Sequence, residues 1–289
     1  MSDKFISWEE AVAWLVLQPD KQDLVRDCYF DSSPEVAAKR YWQSEEWKSI
    51  RVFLPNVPAG HVLDLGAGRG IASYALAKEG WNVMAVEPDS SVLVGGGAIR
   101  KVAQSEGLPI KVTQEFGERL PFEAATFDLI FARQVLHHAR DLSMLCAEIF
   151  RVLKPGGKFI AVRDHVISSP GDLSAFLQTH PLHQLYGGEN AFQIRQYRTA
   201  VLSAGFNIEK TLRPFDSVIN YAPYTRDSLR DELKRRLVHL PMGRIVGRLL
   251  NTGMIMDITL ALLSRFDNRP GRLYSFICNK PLDSNPRNH

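Results

Sequence analysis

Three glycines fall two residues apart in Asp64-Leu65-Gly66-Ala67-Gly68-Arg69-Gly70, directly after the apolar run that begins at Val62. Glycine permits a tight turn there and lets the backbone approach a ligand closely at a helix N-terminus. Glu87 lies 23 residues after Asp64, at the end of the next apolar run. A carboxylate in that place can accept hydrogen bonds from both hydroxyls of a ribose. The dinucleotide fingerprint G-x-G-x-x-G would need glycine where Ile71 stands, which disfavours a nicotinamide dehydrogenase. No G-x-x-x-x-G-K-[ST] segment occurs, so a P-loop phosphotransferase is disfavoured as well.

Further along, His137 and His138 follow the fourth apolar run. Histidine titrates near neutrality, so either could act as general base toward a hydroxyl, or the pair could only shape a pocket. The densest polar stretch is His180-Pro181-Leu182-His183-Gln184-Leu185-Tyr186-Gly187-Gly188-Glu189-Asn190. Such a concentration suggests acid/base work by His180 or His183 and substrate binding by Tyr186, Glu189 and Asn190. A helix-joining loop capped by Asn190 is the plainer reading. The spacing His180-x-x-His183 admits a metal, but no third and fourth ligand accompany it, and no metal is assigned.

These residues must be positioned by the elements around them. Residues 1–57 read as helical, with Trp8, Val12 and Leu15, then Tyr41, Ile50 and Phe53, at helical spacing. Pro55 and Pro58 close that region. Strands are expected at 62–65, 83–87, 110–112, 127–132 and 158–162, the last introduced by the turn Lys154-Pro155-Gly156-Gly157. Helices are expected at 71–79 and 142–153, and Gly95-Gly96-Gly97 reads as a loop beside a helix. Strands alternating with helices give a doubly wound, mostly parallel α/β sheet. A helix over 193–204, a strand over 206–212 and a late strand over 271–278 follow. Between the last two, residues 214–270 are too many for a structureless loop and are expected to form a helical cap over the pocket. The resulting division is a helical segment 1–57, a core 58–213, the insertion 214–270, and a final strand with tail, 271–289.

Composition narrows the classes. Of 289 residues, 45% are hydrophobic and 23% charged, which excludes collagen-like and largely disordered chains. The net charge of +3 does not imply a nucleic-acid partner. Cys28, Cys146 and Cys278 form no CxxC pair, there is no basic signal-peptide start, and no 18-residue apolar run occurs. A soluble, cytoplasmic protein is expected. Seven Lys/Arg lie between Thr225 and Leu249 (Arg226, Arg230, Lys234, Arg235, Arg236, Arg244, Arg248), and Leu229, Leu233, Leu237 and Leu240 form a stripe. That basic amphipathic segment fits a solvated cap face, a membrane surface or an acidic substrate.

Taken in order, Asp64 to Gly70, Val86-Glu87-Pro88-Asp89, Leu120-Pro121-Phe122, Thr126-Phe127-Asp128-Leu129-Ile130, Val135-Leu136-His137-His138 and Val152-Leu153-Lys154-Pro155-Gly156-Gly157 resemble class I S-adenosylmethionine-dependent methyltransferases. Within that class the chain is most similar to the small-molecule branch typified by ubiquinone and menaquinone methyltransferases. The likeness covers about residues 60–163, and more weakly to 213. It implies a seven-stranded Rossmann-like sheet and S-adenosyl-L-methionine as cofactor. Asp64 and the loop Gly66, Ala67, Gly68 and Gly70 would hold its amino-acid end, and Glu87 with Pro88 its ribose. Gly117 and Glu118 would lie against adenine, and Gln134 near the methionyl portion. Phe116 stands where the family often has an acid on the adenine amino group, so the ring stacks there or Glu118 substitutes. Tyr29, Arg40, Tyr41 and Trp42 would close over the cofactor or simply pack. The expected reaction is methylation of a small molecule, oxygen first. Nitrogen, sulfur or carbon acceptors, a lipid-linked acceptor and a non-catalytic cofactor-binding regulator remain open. A nucleic-acid methyltransferase is disfavoured by the absence of an Asn/Asp-Pro-Pro-Tyr type motif.

Overall fold

A computed structural model of the chain describes residues 5–282 apart from 32, 58, 59, 181, 240 and 241. Pro58, Pro181 and Leu240, used in the sequence reading, therefore lie outside the described residues, as does the side chain of Arg244.

Four helices open the chain: α1 (Trp8–Val16), α2 (Gln22–Asp27), α3 (Pro34–Gln43) and α4 (Glu45–Arg51). Their starts are written locally. Ser7 and Glu10 form a reciprocal capping box on α1, and Ser33 and Ser44 cap α3 and α4, satisfying backbone N–H groups that a first turn leaves unpaired. The alternating region follows as β1 (His61–Leu65), α5 (Ile71–Lys78), β2 (Asn82–Val86), α6 (Gly96–Glu106), β3 (Ile110–Thr113), β4 (Phe127–Arg133), α7 (Leu142–Val152) and β5 (Leu153–Ile167).

Helix α6 corrects the reading of Gly95-Gly96-Gly97 as a loop. Gly95 is its N-cap and Gly96 its first residue. The glycines are there for close approach, since a Cβ on Gly95 would sit 2.3 Å from the Asp89 carbonyl oxygen and one on Gly97 would sit 2.8 Å from that of Ser91. β5 is also longer than the expected 158–162, because an antiparallel partner pairs along it from Lys158 to Val166.

The chain continues with α8 (Asp172–Thr179), α9 (His183–Tyr186), β6 (Phe192–Gln193), α10 (Ile194–Ser203) and β7 (Asn207–Leu212). The insertion is α11 (Val218–Tyr221), α12 (Arg226–Leu237), α13 (Gly243–Leu249) and α14 (Gly253–Phe266), and β8 (Arg272–Asn279) closes the sheet. Strand order is β3-β2-β1-β4-β5-β8-β7, with the two-residue β6 beside β5. The pairs among β1 to β5 are parallel, and β8 runs antiparallel to both β5 and β7.

Strand side chains alternate between faces, and the core divides accordingly. Leu63, Ile130, Phe159 and Phe276 join Leu145 and Ile149 of α7 and Tyr197 of α10 on one face. Val62, Leu129, Ile160 and Ile277 join Tyr41, Trp47, Ile50 and Leu76 on the other. The sheet is therefore sandwiched between helices and its strand ends are held rigidly. The insertion is helical as expected but gathers its own small cluster of Leu229, Leu250, Met256 and Leu260, while Ile219 of α11 joins the second face.

Candidate active site

Sheet order turns between β1 and β4, and open α/β sheets bind ligands beyond the carboxyl ends of strands at such a point. A cavity of about 680 Å³ lies there, lined from the ends of β1, β2, β4 and β5. None of the described residues of 214–270 lines it. The expectation of an insertion closing over the pocket is thereby corrected. The cover comes from α1 and α9, where the Trp8 and Tyr186 rings stand 4.6 Å apart and the Ile6 N–H donates to the Leu185 carbonyl at 3.0 Å.

The glycine loop forms one wall. Gly66 has φ +61°, and a Cβ there would press on Val135 at 2.7 Å. Gly68 has φ +52° and open space where its Cβ would be, so a ligand can approach its backbone. Its N–H donates to Glu87 Oε2 at 2.7 Å, and the Asp89 N–H donates to Oε1 at 3.0 Å. Ala67 and Pro88 line the same wall, whereas Gly70 caps α5 against Ile99 and does not reach the cavity. Asp64 is buried and accepts from the Ser73 hydroxyl at 2.5 Å. Burial pushes its carboxyl up to about 7, against that hydrogen bond and with the charge of Glu87 adding to the rise. Burial also raises Glu87, against its two backbone N–H donors. Among the described residues neither carboxylate has a Lys or Arg within ion-pair distance.

Phe116, Gly117 and Glu118 form the next stretch of lining. The Phe116 ring is half exposed with the Arg140 guanidinium 4.9 Å from its centre. Glu118 accepts from the Arg140 backbone N–H at 2.9 Å, and a Cβ on Gly117 would meet Leu145 at 2.6 Å.

On the helical side only Tyr29 of the four N-terminal candidates reaches the cavity. Arg40 lies over the outside of its ring at 4.3 Å and pairs with Asp31 at 2.6 Å, and Tyr41 meets it edge-on at 5.3 Å. Trp42 donates to Glu79. Tyr29 (φ +60°) and Gln134 (φ +57°) both hold left-handed backbone, a strained conformation that concentrates at functional sites. Sequence reasoning missed what braces them. Arg133, at the end of β4, donates to both oxygens of Glu46 on α4 at 2.7 and 3.2 Å, with the Tyr29 ring 5.6 Å from its guanidinium. Burial opposes both charges, and each holds the other ionised. The partners are 87 residues apart, so spacing carried no signal of them.

The remaining wall is a cluster around Glu189. His137 Nδ1 donates to Asp164 Oδ1 at 3.0 Å, and its Nε2 faces Glu189 Oε2 at 3.6 Å. His138 donates from Nδ1 to the Gly188 carbonyl at 3.0 Å. His165, which sequence reasoning missed, donates from Nδ1 to the Gly271 carbonyl at 2.8 Å. His180 Nδ1 stands 4.0 Å from Glu189 Oε1, and the Tyr186 hydroxyl donates to that oxygen. Burial would lower His137, but its hydrogen bond to Asp164 and the facing Glu189 carboxylate raise it to about 9. Burial and the charge of His137 push His138 down to about 4 and His165 to about 3. Burial opposes ionisation of Glu189 too, yet the imidazole of His137 facing it and the charges of the nearby histidines hold it well below the usual carboxylate range. His183 and Asn190 do not line the cavity. The His183 ring packs near Phe5, at 6.3 Å between centroids.

Residues 63–161 match the family model described as a methyltransferase domain. The chain is 31% identical over 137 residues to a ubiquinone biosynthesis O-methyltransferase of Pseudomonas fluorescens (strain SBW25), an alignment taking in 43% of this chain and 57% of that protein. It is 34% identical over 108 residues to a dimethylglycine N-methyltransferase of Parasynechococcus marenigrum (strain WH8102), covering 37% of this chain and 38% of the relative. The chain thus spans little more than half the length of the first relative and less of the second. A solved structure of phosphoethanolamine N-methyltransferase 2 from Haemonchus contortus, in complex with S-adenosyl-L-methionine, is 18% identical, with a TM-score of 0.59 over 96% of this chain and 60% of that one. At that identity the likeness is one of fold.

Proposed function

We propose that the chain, whose residues 63–161 match a methyltransferase domain, transfers a methyl group from S-adenosylmethionine to a small polar acceptor, with oxygen as the acceptor atom. The observation that carries this reading is the pair of buried carboxylates, Asp64 and Glu87, with no cation paired to either among the described residues, in a cavity whose far end is rich in hydrogen-bonding side chains. S-adenosylmethionine carries an ammonium and a sulfonium charge, and two uncompensated carboxylates suit such a ligand. When bound it supplies a methyl group already activated by the sulfonium.

The chain's own residues have the following work. Asp64 holds the ammonium, and the backbone of Gly66 and Gly68 lies against the amino-acid end. Glu87 accepts the ribose hydroxyls, while Phe116, Gly117 and Glu118 flank the adenine. Gln134 borders the methionyl portion. At the other end, the carbonyl acceptors on His138 and His165 fix the proton on Nδ1 and leave Nε2 as a lone pair. A hydroxyl can therefore be held as donor and aligned for in-line attack. An amine acceptor is the second reading, favoured by the ionised Glu189 carboxylate.

Calorimetry with S-adenosylhomocysteine tests the cofactor half. Binding that weakens about 10- to 100-fold in Glu87→Gln, which removes a charged hydrogen-bond acceptor, is expected. Transfer from methyl-labelled cofactor into pools of hydroxylated and amino metabolites tests the rest, with the labelled atom identified by mass spectrometry. No cofactor binding would overturn the reading. Binding with no transfer into any pool would replace the enzyme by a cofactor-binding regulator.

A further inference from the structure

We propose that His137, His165 and Glu189 form a binding site for a divalent first-row transition-metal ion at the acceptor end of the cavity. The inference goes beyond the methyl-transfer reading and does not depend on it. One ligand atom from each of the three residues lies within 4.8 Å of the other two, and all three residues line the cavity. Ligands bound to one ion at about 2.0–2.2 Å stand about 3–3.5 Å apart, so side-chain movements of roughly an ångström close the set.

The surrounding hydrogen bonds are those a metal site needs. Ligating histidines donate the other ring N–H to a carboxylate or a backbone carbonyl, which fixes the tautomer and orients the ring. Here His137 Nδ1 donates to Asp164 and His165 Nδ1 donates to the Gly271 carbonyl. A carbonyl only accepts, so His165 Nε2 is left as a lone pair. Glu189 is buried, with its side chain 7% exposed, and its Oε2 has no hydrogen-bond partner while facing His137 Nε2. His180 Nδ1 is likewise buried without a partner, 4.0 Å from Oε1 of the same carboxylate.

The charges point the same way. Asp164 and Glu189 are two buried carboxylates on opposite sides of one imidazole, and no Lys or Arg among the described residues pairs with either. A dication at His137 Nε2 would compensate both, in place of the proton that the two carboxylates otherwise hold on that imidazole. Two imidazoles and a carboxylate are the donor set of transition metals rather than of calcium or magnesium, which take oxygen ligands. Three protein ligands also leave an open coordination position toward the cavity. The ligands come from the turn after β4, from β5 and from the loop after α9, so no spacing in the sequence could announce them.

Cobalt(II) is the probe, because its visible absorption reports inner-sphere ligands. The chelator-treated full chain should bind one equivalent of Co²⁺ with visible bands that excess Zn²⁺ abolishes. His165→Ala and Glu189→Gln should each weaken binding at least about 100-fold. Asp164→Asn should weaken it about 10- to 100-fold through the orientation of His137. His183→Ala, which removes a neighbouring imidazole outside the cavity, should bind as the parent does. Thermal melts establish that the variants fold. Absence of visible bands, or Co²⁺ binding unchanged in folded His165→Ala and Glu189→Gln, overturns the site and leaves the cluster a hydrogen-bond network. Failure of S-adenosylhomocysteine binding in a chain that binds Co²⁺ would count against methyl transfer alone.

Discussion

Raising the pH from 6 to 8 should tighten S-adenosylhomocysteine binding about tenfold, and Asp64→Asn should abolish that dependence. Asp64 sits in β1 with its carboxylate hydrogen-bonded, among the described residues, to Ser73 alone, and burial raises its carboxyl from 3.8 to about 7. With that value about a tenth of the groups are ionised at pH 6 and about nine-tenths at pH 8. Only the ionised form pairs with the ligand's ammonium, so the apparent affinity follows that fraction. Stability runs in the opposite sense. A carboxyl whose folded pKa lies above its unfolded one stabilises the fold fully below about pH 4 and loses that contribution as pH rises toward 7. Asparagine carries no such penalty. At pH 8, Asp64→Asn should therefore melt higher than the parent, by an amount on the order of a few kcal/mol, while binding the ligand at least tenfold more weakly. Titration calorimetry across the pH range, repeated in buffers of different ionisation enthalpy, should also register proton release on binding by the parent alone. An affinity flat between pH 6 and 8, or one that keeps its slope in Asp64→Asn, would refute the assignment of the ammonium to Asp64. In the second case Glu87, whose charge acts on Asp64 and which is raised in the same sense, becomes the titrating group.

Other outcomes follow from the same geometry. Gly68→Ala should cost about 1–2 kcal/mol of stability for a left-handed alanine and lose cofactor affinity, because its Cβ stands in open space beside the cavity. Gly66→Ala should be worse for the fold, with its Cβ 2.7 Å from Val135; equal melting temperatures for the two would contradict this. Glu46→Gln should destabilise by about 3–5 kcal/mol in urea unfolding, because it removes the carboxylate charge that balances the buried Arg133. A loss below about 1 kcal/mol would mean that water or the Tyr29 and Tyr41 rings satisfy the guanidinium instead. Contact with a lipid surface, one of the three readings open to the basic segment 225–249, would run through α14 rather than α12. Arg226, Arg230, Lys234, Arg235 and Arg236 are all ion-paired, whereas Met254, Ile258, Leu262 and Phe266 form an exposed apolar stripe. Co-sedimentation with anionic vesicles should then resist salt and vanish in Ile258→Glu/Leu262→Glu, and salt-sensitive binding that survives the double variant would return the contact to α12.

What the sequence made legible follows the range of the forces involved. Strands β1 to β4 and helices α5 and α7 were readable because their apolar periodicity is local. The glycine loop and Glu87 were readable because chemistry needs those types at the ends of consecutive strands. Helix α6 was hidden behind glycines whose purpose, letting the chain pass within contact of Asp89 and Ser91, exists only in the fold. The Glu46–Arg133 pair and the anchoring of His165 on Gly271 join residues 87 and 106 positions apart, and neither member is unusual where it stands. His183 and Asn190 were drawn in by the density of polar residues around them. His180, Tyr186 and Glu189 line the cavity, whereas the His183 ring packs near Phe5.

The two halves of the cavity therefore carry different kinds of information. The lining proposed to hold the cofactor, residues 64 to 134, lies wholly inside the segment that matches the methyltransferase family, at the ends of paired strands. The acceptor half takes His165, His180, Leu182, Tyr186 and Glu189 from beyond that segment and Trp8, Tyr29 and Phe30 from before it. Relatives that share 31–34% identity over 108 to 137 residues include both an O- and an N-methyltransferase, as expected where the shared part binds the donor. Acceptor choice here must be argued from the Glu189 cluster. Its two anchored imidazole lone pairs and buried carboxylate favour an oxygen-bearing polar molecule over a prenylated one, because an apolar chain would leave each of those groups desolvated and unpaired.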